Sequence, residues 1–187
     1  MKKLICTALL IALLCGGLTA CGEERDPYPS TATTAEIFAQ VMEKAEACSE
    51  RDGKTYFGNG LIYGSGEGCK PLGEGEQSYF YGTVDSDPDF SCVEQYMLWT
   101  ATDPVTTEFG IFKVNKMSDV ETVMDFMWER VSTLKQNSKD YDAEEYAKAD
   151  NATIVAYGRY VCYLVTSIDD ELSSVIESAI VAKEVKN

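Results

Sequence analysis

The chain has 187 residues, of which 31 are acidic and 16 basic, so its formal net charge is −15, and it contains no histidine. An electric field of this sign repels phosphate backbones, which argues against nucleic-acid binding. The lack of histidine excludes Ser-His-Asp and Cys-His catalysis and histidine-ligated zinc, and we expect no metal and no cofactor.

The first twenty residues are predicted to be a secretory signal peptide. Lys2 and Lys3 form a basic start, residues 4–14 are almost purely apolar, and small residues then lead to Cys21. The ending Leu18-Thr19-Ala20-Cys21 resembles the lipobox of bacterial lipoproteins, which implies cleavage before Cys21 and lipidation of that cysteine with fatty acids such as palmitate. The alternative is a transmembrane anchor, since residues 4–21 carry no charge.

We therefore expect the mature chain to be anchored by its lipid on the extracytoplasmic face of the cell membrane. Two acyl chains hold a protein stably at a bilayer, where one chain is marginal. Residues 21–34 are predicted to be the lipidated anchor and a polar linker, and residues 35–187 form a single domain with a glycine-rich insertion at about 53–77.

Four cysteines remain after Cys21, an even number in a chain expected to be exported. This combination predicts two disulfides among Cys48, Cys69, Cys92 and Cys162. Four cysteines allow three pairings, and the sequence does not choose among them. We favour Cys48–Cys69 with Cys92–Cys162, because the first pair would close the insertion at both ends. The alternative is that the thiols are free and buried.

The first helix is predicted to open with a capping box at Thr33-x-x-Glu36. Apolar residues then recur at helical spacing on one face, which places the helix on the core; they are Ile37, Val41, Met42, Ala45 and Cys48. The helix is expected to end near Ser49, before Asp52-Gly53.

The insertion contains the run GNGLIYGSGEGCKPLGEG, which comes close to a dinucleotide-binding fingerprint. Its third glycine is one residue late, and the glycines over 64–68 and Pro71 oppose the helix that such a site needs. Strand-like triplets at 55–57 and 61–63 flank Gly58-Asn59-Gly60 instead. We predict a hairpin there, followed by a flexible loop.

Tyrosines gather in and around the insertion, where they are candidates for a binding surface: Tyr56, Tyr63, Tyr79, Tyr81 and Tyr96. A tyrosine ring stacks on a ligand while its hydroxyl group forms hydrogen bonds, which suits the recognition of peptides or sugars. The competing interpretation is that most of these rings pack against the sheet.

The acidic stretch that follows alternates Asp85, Asp87 and Asp89, as a calcium loop does. An EF-hand loop starting at Asp85 needs glycine at its sixth position and glutamate at its twelfth. Those positions hold Phe90 and Tyr96, so we interpret the stretch as a solvated turn.

The remaining elements predict a mixed fold. In order they are strands over 93–100 and 108–114, a helix capped by Ser118-x-x-Glu121, a short acidic helical piece over 141–148, strands over 152–157 and 160–166 around Gly158-Arg159, and a last helix capped by Ser167. The long helix has an apolar face of Val120, Val123, Met124, Met127, Val131 and Leu134. Helices set against an antiparallel sheet predict a two-layer α+β domain, in which the unit strand-strand-helix occurs twice.

Three stretches carry a family resemblance: DPDFSCVEQYMLW from Asp87, TEFGIFKVNKMSDVETVMDFMWERV from Thr107, and ATIVAYGRYVCYLVTSIDDEL from Ala152. Together they resemble domain of unknown function family 4358. The resemblance implies a lipoprotein of a Gram-positive bacterium with a lipobox, a linker and one domain. It implies no catalytic residue. The glycine-rich insertion and the four additional cysteines depart from the family pattern.

Two functional hypotheses follow from the sequence. The first is a non-catalytic lipoprotein of the cell envelope that binds a protein or glycan partner through the insertion and its tyrosines. The alternative is an extracytoplasmic hydrolase that acts on glycans through paired carboxylates, which would need a pocket with two converging acidic side chains.

Overall fold

A computed structural model describes residues 25–83, 85–102 and 105–183. The predicted signal peptide and Cys21 lie outside these residues. Among the described residues, five α-helices pack on an open, five-stranded antiparallel sheet, which confirms the α+β class. No helix in these ranges is long and apolar enough to cross a membrane.

Ten helices and strands make up the described part of the chain. They are α1 (Thr34–Asp52), β1 (Gly60–Gly64), α2 (Glu74–Tyr81), β2 (Val93–Ala101), β3 (Glu108–Val114), α3 (Val120–Ser138), α4 (Ala143–Asp150), β4 (Thr153–Tyr157), β5 (Tyr160–Val165) and α5 (Asp169–Val181). Short 3₁₀ turns precede β2 and α3.

The sheet order is β1-β2-β3-β5-β4, and all neighbours are antiparallel. Because side chains alternate across a strand, successive residues of β2, β3 and β5 enter two different cores. One core lies under α1 and α5 and contains Trp99, Phe109 and Leu164. The other lies under α2 and α3 and contains Leu98, Phe112 and Val165. Helices therefore cover both faces, so a second helical layer is present in addition to the predicted one.

The capping box of α1 forms as predicted. The Glu36 backbone N–H donates to Thr33 Oγ1 at 3.1 Å, and the Thr33 N–H donates to Glu36 Oε2 at 3.0 Å. Gly53 ends the helix in the left-handed region with φ +62° and donates its N–H to Ser49 O.

The predicted hairpin over 55–63 is wrong. β1 pairs with β2, with Leu61 opposite Thr100, and residues 55–57 form no strand. The reason is the partial burial of Phe57, whose ring centroid lies 4.8 Å from that of Trp99 and 5.3 Å from that of Phe109. This contact holds the segment across the face of the sheet. The predicted flexible loop is also shortened, because α2 begins at Glu74.

The described part of the predicted linker packs on the domain and is no free spacer. Ser30 Oγ donates to Ile180 O at 2.7 Å, and Tyr160 Oη donates to Ala32 O at 2.6 Å. Asp26 forms an ion pair with Arg159 at 3.4 Å. Residues 26–33 are thus fastened to the end of the sheet that carries the β4–β5 turn.

Two predicted helix caps are corrected. The buried face of α3 is as expected at Val123, Met127 and Leu134, but the helix starts at Val120 after a 3₁₀ turn, without a side-chain cap from Ser118. At α5, the N-cap residue is Ile168 without a side-chain cap, so Ser167 is not the capping residue. The Asp169 carboxylate accepts hydrogen bonds from the N–H and the Oγ1 of Thr166.

Candidate functional site

A cleft of 830 Å³ opens at the end of the sheet where β2 ends and β3 begins. One wall is α2, and the opposite wall is the C-terminal half of α3 together with the α3–α4 connection. The floor comes from β1, β2 and the segment before β3. The side chains that line the cleft include Leu61, Tyr79, Thr106, Arg130, Tyr141 and Glu145.

Exposed apolar side chains concentrate around this cleft. Among the described residues, seven large apolar side chains are exposed, and four of them lie on its rim: Leu61 (49% exposed), Tyr79 (73%), Val105 (40%) and Tyr141 (90%). Contiguous apolar surface is costly in water and marks sites of interaction on soluble domains. The cleft volume also lies in the range of ligand pockets, roughly 300–1,000 Å³.

A buried ion pair lies beneath the cleft. Arg130 Nε donates to Glu108 Oε1 at 2.7 Å, and Arg130 Nη2 donates to Glu108 Oε2 at 2.6 Å. The Arg130 and Glu108 side chains are only 6% and 1% exposed. Arg130 sits on the apolar face of α3 with its guanidinium over the Phe80 ring at 4.7 Å, so the pair joins α3, β3 and α2.

Two tyrosines complete this network. Tyr163 Oη donates to Glu108 Oε1 at 2.6 Å, and Tyr81 Oη lies 3.1 Å from Tyr163 Oη. Burial raises the pKa of both phenols, and the nearby Glu108 carboxylate raises it further. Burial lowers the pKa of Arg130, but Glu108 more than offsets this and the net shift is upward. Both phenols therefore stay protonated and Arg130 stays charged at neutral pH.

Glu145 lines the cleft at the start of α4. Its Oε2 accepts hydrogen bonds from the Thr106 N–H at 2.6 Å and from Thr106 Oγ1 at 2.8 Å. Lys148 Nζ lies 2.8 Å from Oε1. Burial raises the pKa of Glu145, but the bonds from Lys148 and Thr106 outweigh it, so the net pKa is lowered. Glu145 thereby fixes the chain before β3 to α4.

The cleft carboxylates Glu76 and Glu145 lack the raised pKa that the hydrolase hypothesis requires of a general acid. A general acid needs a carboxyl group with a raised pKa. The pKa of Glu76 is instead lowered, first by its bond from Lys70, and that of Glu145 is lowered as described above. Asp142 is held as the N-cap of α4 by the N–H groups of Glu144 and Glu145.

The five candidate tyrosines do not form one exposed surface. Tyr63, Tyr81 and Tyr96 are buried in the core under α2 and α3, and Tyr56 is half-buried with its Oη donating to Asp52 Oδ2 at 2.8 Å. Tyr79 is exposed on the cleft rim. Tyr63, Tyr81 and Tyr96 therefore follow the competing interpretation, in which the tyrosine rings pack against the sheet and do not form a binding surface.

Neither predicted disulfide forms, and all four described cysteines are free thiols. Cys162 packs in the core under α1 and α5, whereas Cys92 packs against the opposite core, so the sheet separates this pair. Cys48 Sγ donates to Glu171 Oε2 at 3.2 Å, and Cys69 lies beside Gly64. Burial raises the pKa of Cys48, Cys92 and Cys162, which lowers the fraction of each thiol present as the reactive thiolate.

Residues 89–166 match the model of a family described as Domain of unknown function (DUF4358). The match confirms the resemblance over β2, β3, α3, α4, β4 and β5. It includes Glu108, Arg130 and Glu145 and leaves out Leu61 and Tyr79, so the ion pair lies in the matched region while the α2 wall lies outside it. No curated protein and no solved structure matches the chain.

Sequence reasoning missed Val105, Arg130, Tyr141 and Glu145. Arg130 had a detectable signal, because it follows Met127 by three residues and so falls on the predicted apolar face of the helix. A charged residue in such a position is expected to be paired. Val105 and Tyr141 lie in connecting segments, where periodicity carries no information. The described residues contain no group of three or more acidic or cysteine side chains placed to hold a metal ion.

Proposed function

We propose that this chain is a lipoprotein, anchored by Cys21 on the extracytoplasmic face of the membrane, whose domain binds a partner of the cell envelope without transforming it. The observation that carries the binding role is the cleft with its exposed apolar rim of Leu61, Tyr79, Val105 and Tyr141. Such a rim gains free energy when a partner covers it.

The anchoring role is supported by the N-terminal sequence and by the docked segment behind it. The basic start, apolar run and Leu-Thr-Ala-Cys ending are typical of a lipoprotein signal. Residues 26–33 are fastened to the β4–β5 end of the sheet, and the cleft opens where β3 begins, at the other end. A lipid on Cys21 would thus hold the domain with its cleft directed away from the attachment point.

Replacing Cys21 by serine tests the anchor. In the producing cell, we expect the wild-type chain in the membrane fraction and labelled by palmitate, and we expect Cys21→Ser to lose both the label and the stable membrane association. Cys69→Ser is the matched control, since Cys69 is a half-buried thiol of the domain. Equal palmitate labelling of the Cys21→Ser chain would overturn the proposed lipidation.

Replacing the two most exposed rim tyrosines tests the cleft. We expect Tyr79→Ala/Tyr141→Ala to reduce capture of envelope partners by the full-length chain about tenfold or more, because aromatic anchors dominate binding energy. The melting temperature should change little, since both side chains are exposed. Trp128→Ala is the control, because Trp128 is 54% exposed on α3 and lies outside the cleft. Unchanged capture by the tyrosine variant would contradict the proposed site.

A further inference from the structure

The cleft continues into a longer groove. A second cavity of 320 Å³ shares Ala101, Val105 and Glu145 with the cleft. A third cavity of 560 Å³ shares Glu144, Lys148 and Ser167 with the second. We call these three cavities together the α4 groove. It follows α4 from α2 to the start of α5, and this elongated shape suits a linear chain better than a compact molecule.

Charge along the α4 groove is predominantly negative. Its acidic residues are Glu76, Asp142, Glu144, Glu145, Asp169, Asp170 and Glu171, and its basic residues are Lys54, Arg130 and Lys148. Arg130 is occupied by Glu108, and Lys148 by Glu145. Within the described part of the chain, the carboxylates of Asp142, Glu144 and Asp170 have no lysine or arginine partner. A positively charged occupant would complement them.

The N-terminal part of the β1 edge favours a polypeptide over other linear chains. The end of the same edge is already taken, because Tyr63 forms a parallel bridge with Lys70 and the Gly64 N–H donates to Lys70 O at 3.0 Å. On the side of β1 that faces β2, the Thr102 N–H donates to Asn59 O and the Ser65 N–H donates to Tyr96 O. By the alternation of an antiparallel ladder, the N–H of Ile62 points away from β2. Its side chain is 45% exposed, and no backbone or side-chain partner of this N–H occurs among the described residues. An extended peptide can pair with such an edge.

We propose that the occupant of the α4 groove is an extended, positively charged polypeptide segment, an inference that rests on the proposed binding function. An apolar side chain of the segment sits in the cleft against Leu61, Tyr79 and Tyr141. Its basic side chains face the carboxylates of Glu144 on α4 and Asp170 on α5, and its backbone runs beside β1 where it enters the cleft. The chemistry that recognises this partner is alternating apolar and basic character.

The test uses the full-length chain in detergent micelles and fluorescence anisotropy. The probes are three fluorescein-labelled seven-residue peptides, in which leucine alternates with lysine, with serine or with glutamate. We expect the lysine–leucine peptide to bind more tightly than the serine–leucine peptide, and the glutamate–leucine peptide not to bind. The preference for lysine should decrease as salt rises, because exposed charges are screened.

Two double variants distinguish binding in the α4 groove from non-specific attraction of a basic peptide to an acidic protein. We expect Glu144→Gln/Asp170→Asn to weaken binding of the lysine–leucine peptide about fivefold, since exposed ion pairs are individually weak. Glu121→Gln/Glu129→Gln removes the same charge from the exposed face of α3 and should leave the affinity nearly unchanged. Circular dichroism melting curves confirm that each variant is folded.

The outcomes distinguish this inference from the proposed function. Equal binding of the serine–leucine and lysine–leucine peptides, abolished by Tyr79→Ala/Tyr141→Ala, would overturn the charge preference and leave the binding function standing. If both charge variants weakened binding of the lysine–leucine peptide equally, the attraction would be non-specific and the α4 groove would not be the binding site. If a chitosan hexamer bound more tightly than the lysine–leucine peptide, the occupant would be a cationic glycan, and the proposal of a polypeptide occupant would be wrong. No binding of any probe, with unchanged capture by the tyrosine variant, would overturn both proposals.

Discussion

Replacing Arg130 by methionine is expected to lower the free energy of unfolding by about 3–5 kcal/mol, the range found when one partner of a buried ion pair is removed. The substitution keeps much of the volume of the side chain, so the packing against Phe80 is largely retained. It leaves the Glu108 carboxylate, which is 1% exposed, with a single remaining side-chain donor, Tyr163. The loss therefore reflects an uncompensated buried charge and not a cavity.

Urea denaturation of the full-length chain measures this loss. Glu129→Ala is the matched control, because Glu129 is the exposed neighbour of Arg130 on α3, and its effect should stay within about 0.5 kcal/mol. The double variant Arg130→Met/Glu108→Gln should recover a large part of the stability, since it removes both charges. A loss below about 1 kcal/mol for Arg130→Met would show that the pair does not hold α2, α3 and β3 together.

The same ion pair shows how far the sequence predicts the site. In β3, Glu108 shares a strand face with Phe112, and in α3 Arg130 shares a helix face with Val123 and Met127. Periodicity alone thus directs both charged groups into one core, and their pairing there follows from the cost of burying either charge without the other. The register that brings them within 2.6 Å depends on the packing of α3 across the sheet. Local patterns do not specify that packing.

The glycine-rich insertion shows why other predictions failed. Asn-Gly between two strand-like triplets is a strong local hairpin pattern, yet β1 pairs along the whole of its length with β2 and not with the short 55–57 segment. Phe57 meanwhile packs against Trp99 and Phe109, a contact that no local pattern indicates. The burial of three of the five candidate tyrosines was missed for a related reason. Composition cannot tell a ring at the surface from one in the core, and Tyr81 and Tyr96 lie in the core.

The pH dependence of stability is expected to carry a separate contribution from Asp169, at the start of α5. Burial raises its pKa, the hydrogen bonds from Thr166 and Thr153 lower it in part, and the net value rises from 3.8 to about 6. The folded chain therefore holds this proton more tightly than the unfolded chain does. The resulting stability is fully present below pH 3.8 and is lost as the pH rises through 6. The shift corresponds to about 3 kcal/mol at most.

Comparison with Asp169→Asn isolates this contribution, because asparagine does not titrate, while the other carboxylates of the two chains are the same. The pKa of Glu171, for example, is lowered to about 2, mainly by bonds from Arg51, Lys44 and Cys48, so its stabilisation is lost as the pH falls, in the opposite direction. We expect the free energy of unfolding of the wild-type chain, relative to that of the variant, to fall by about 2–3 kcal/mol between pH 4 and pH 7 in urea titrations. Asp170→Asn is the control, since Asp170 is exposed on the same helical turn. A difference that stays constant over this range would mean that the Asp169 carboxyl group titrates alike in the folded and unfolded chains, and that its bonds from Thr166 and Thr153 fully compensate its burial.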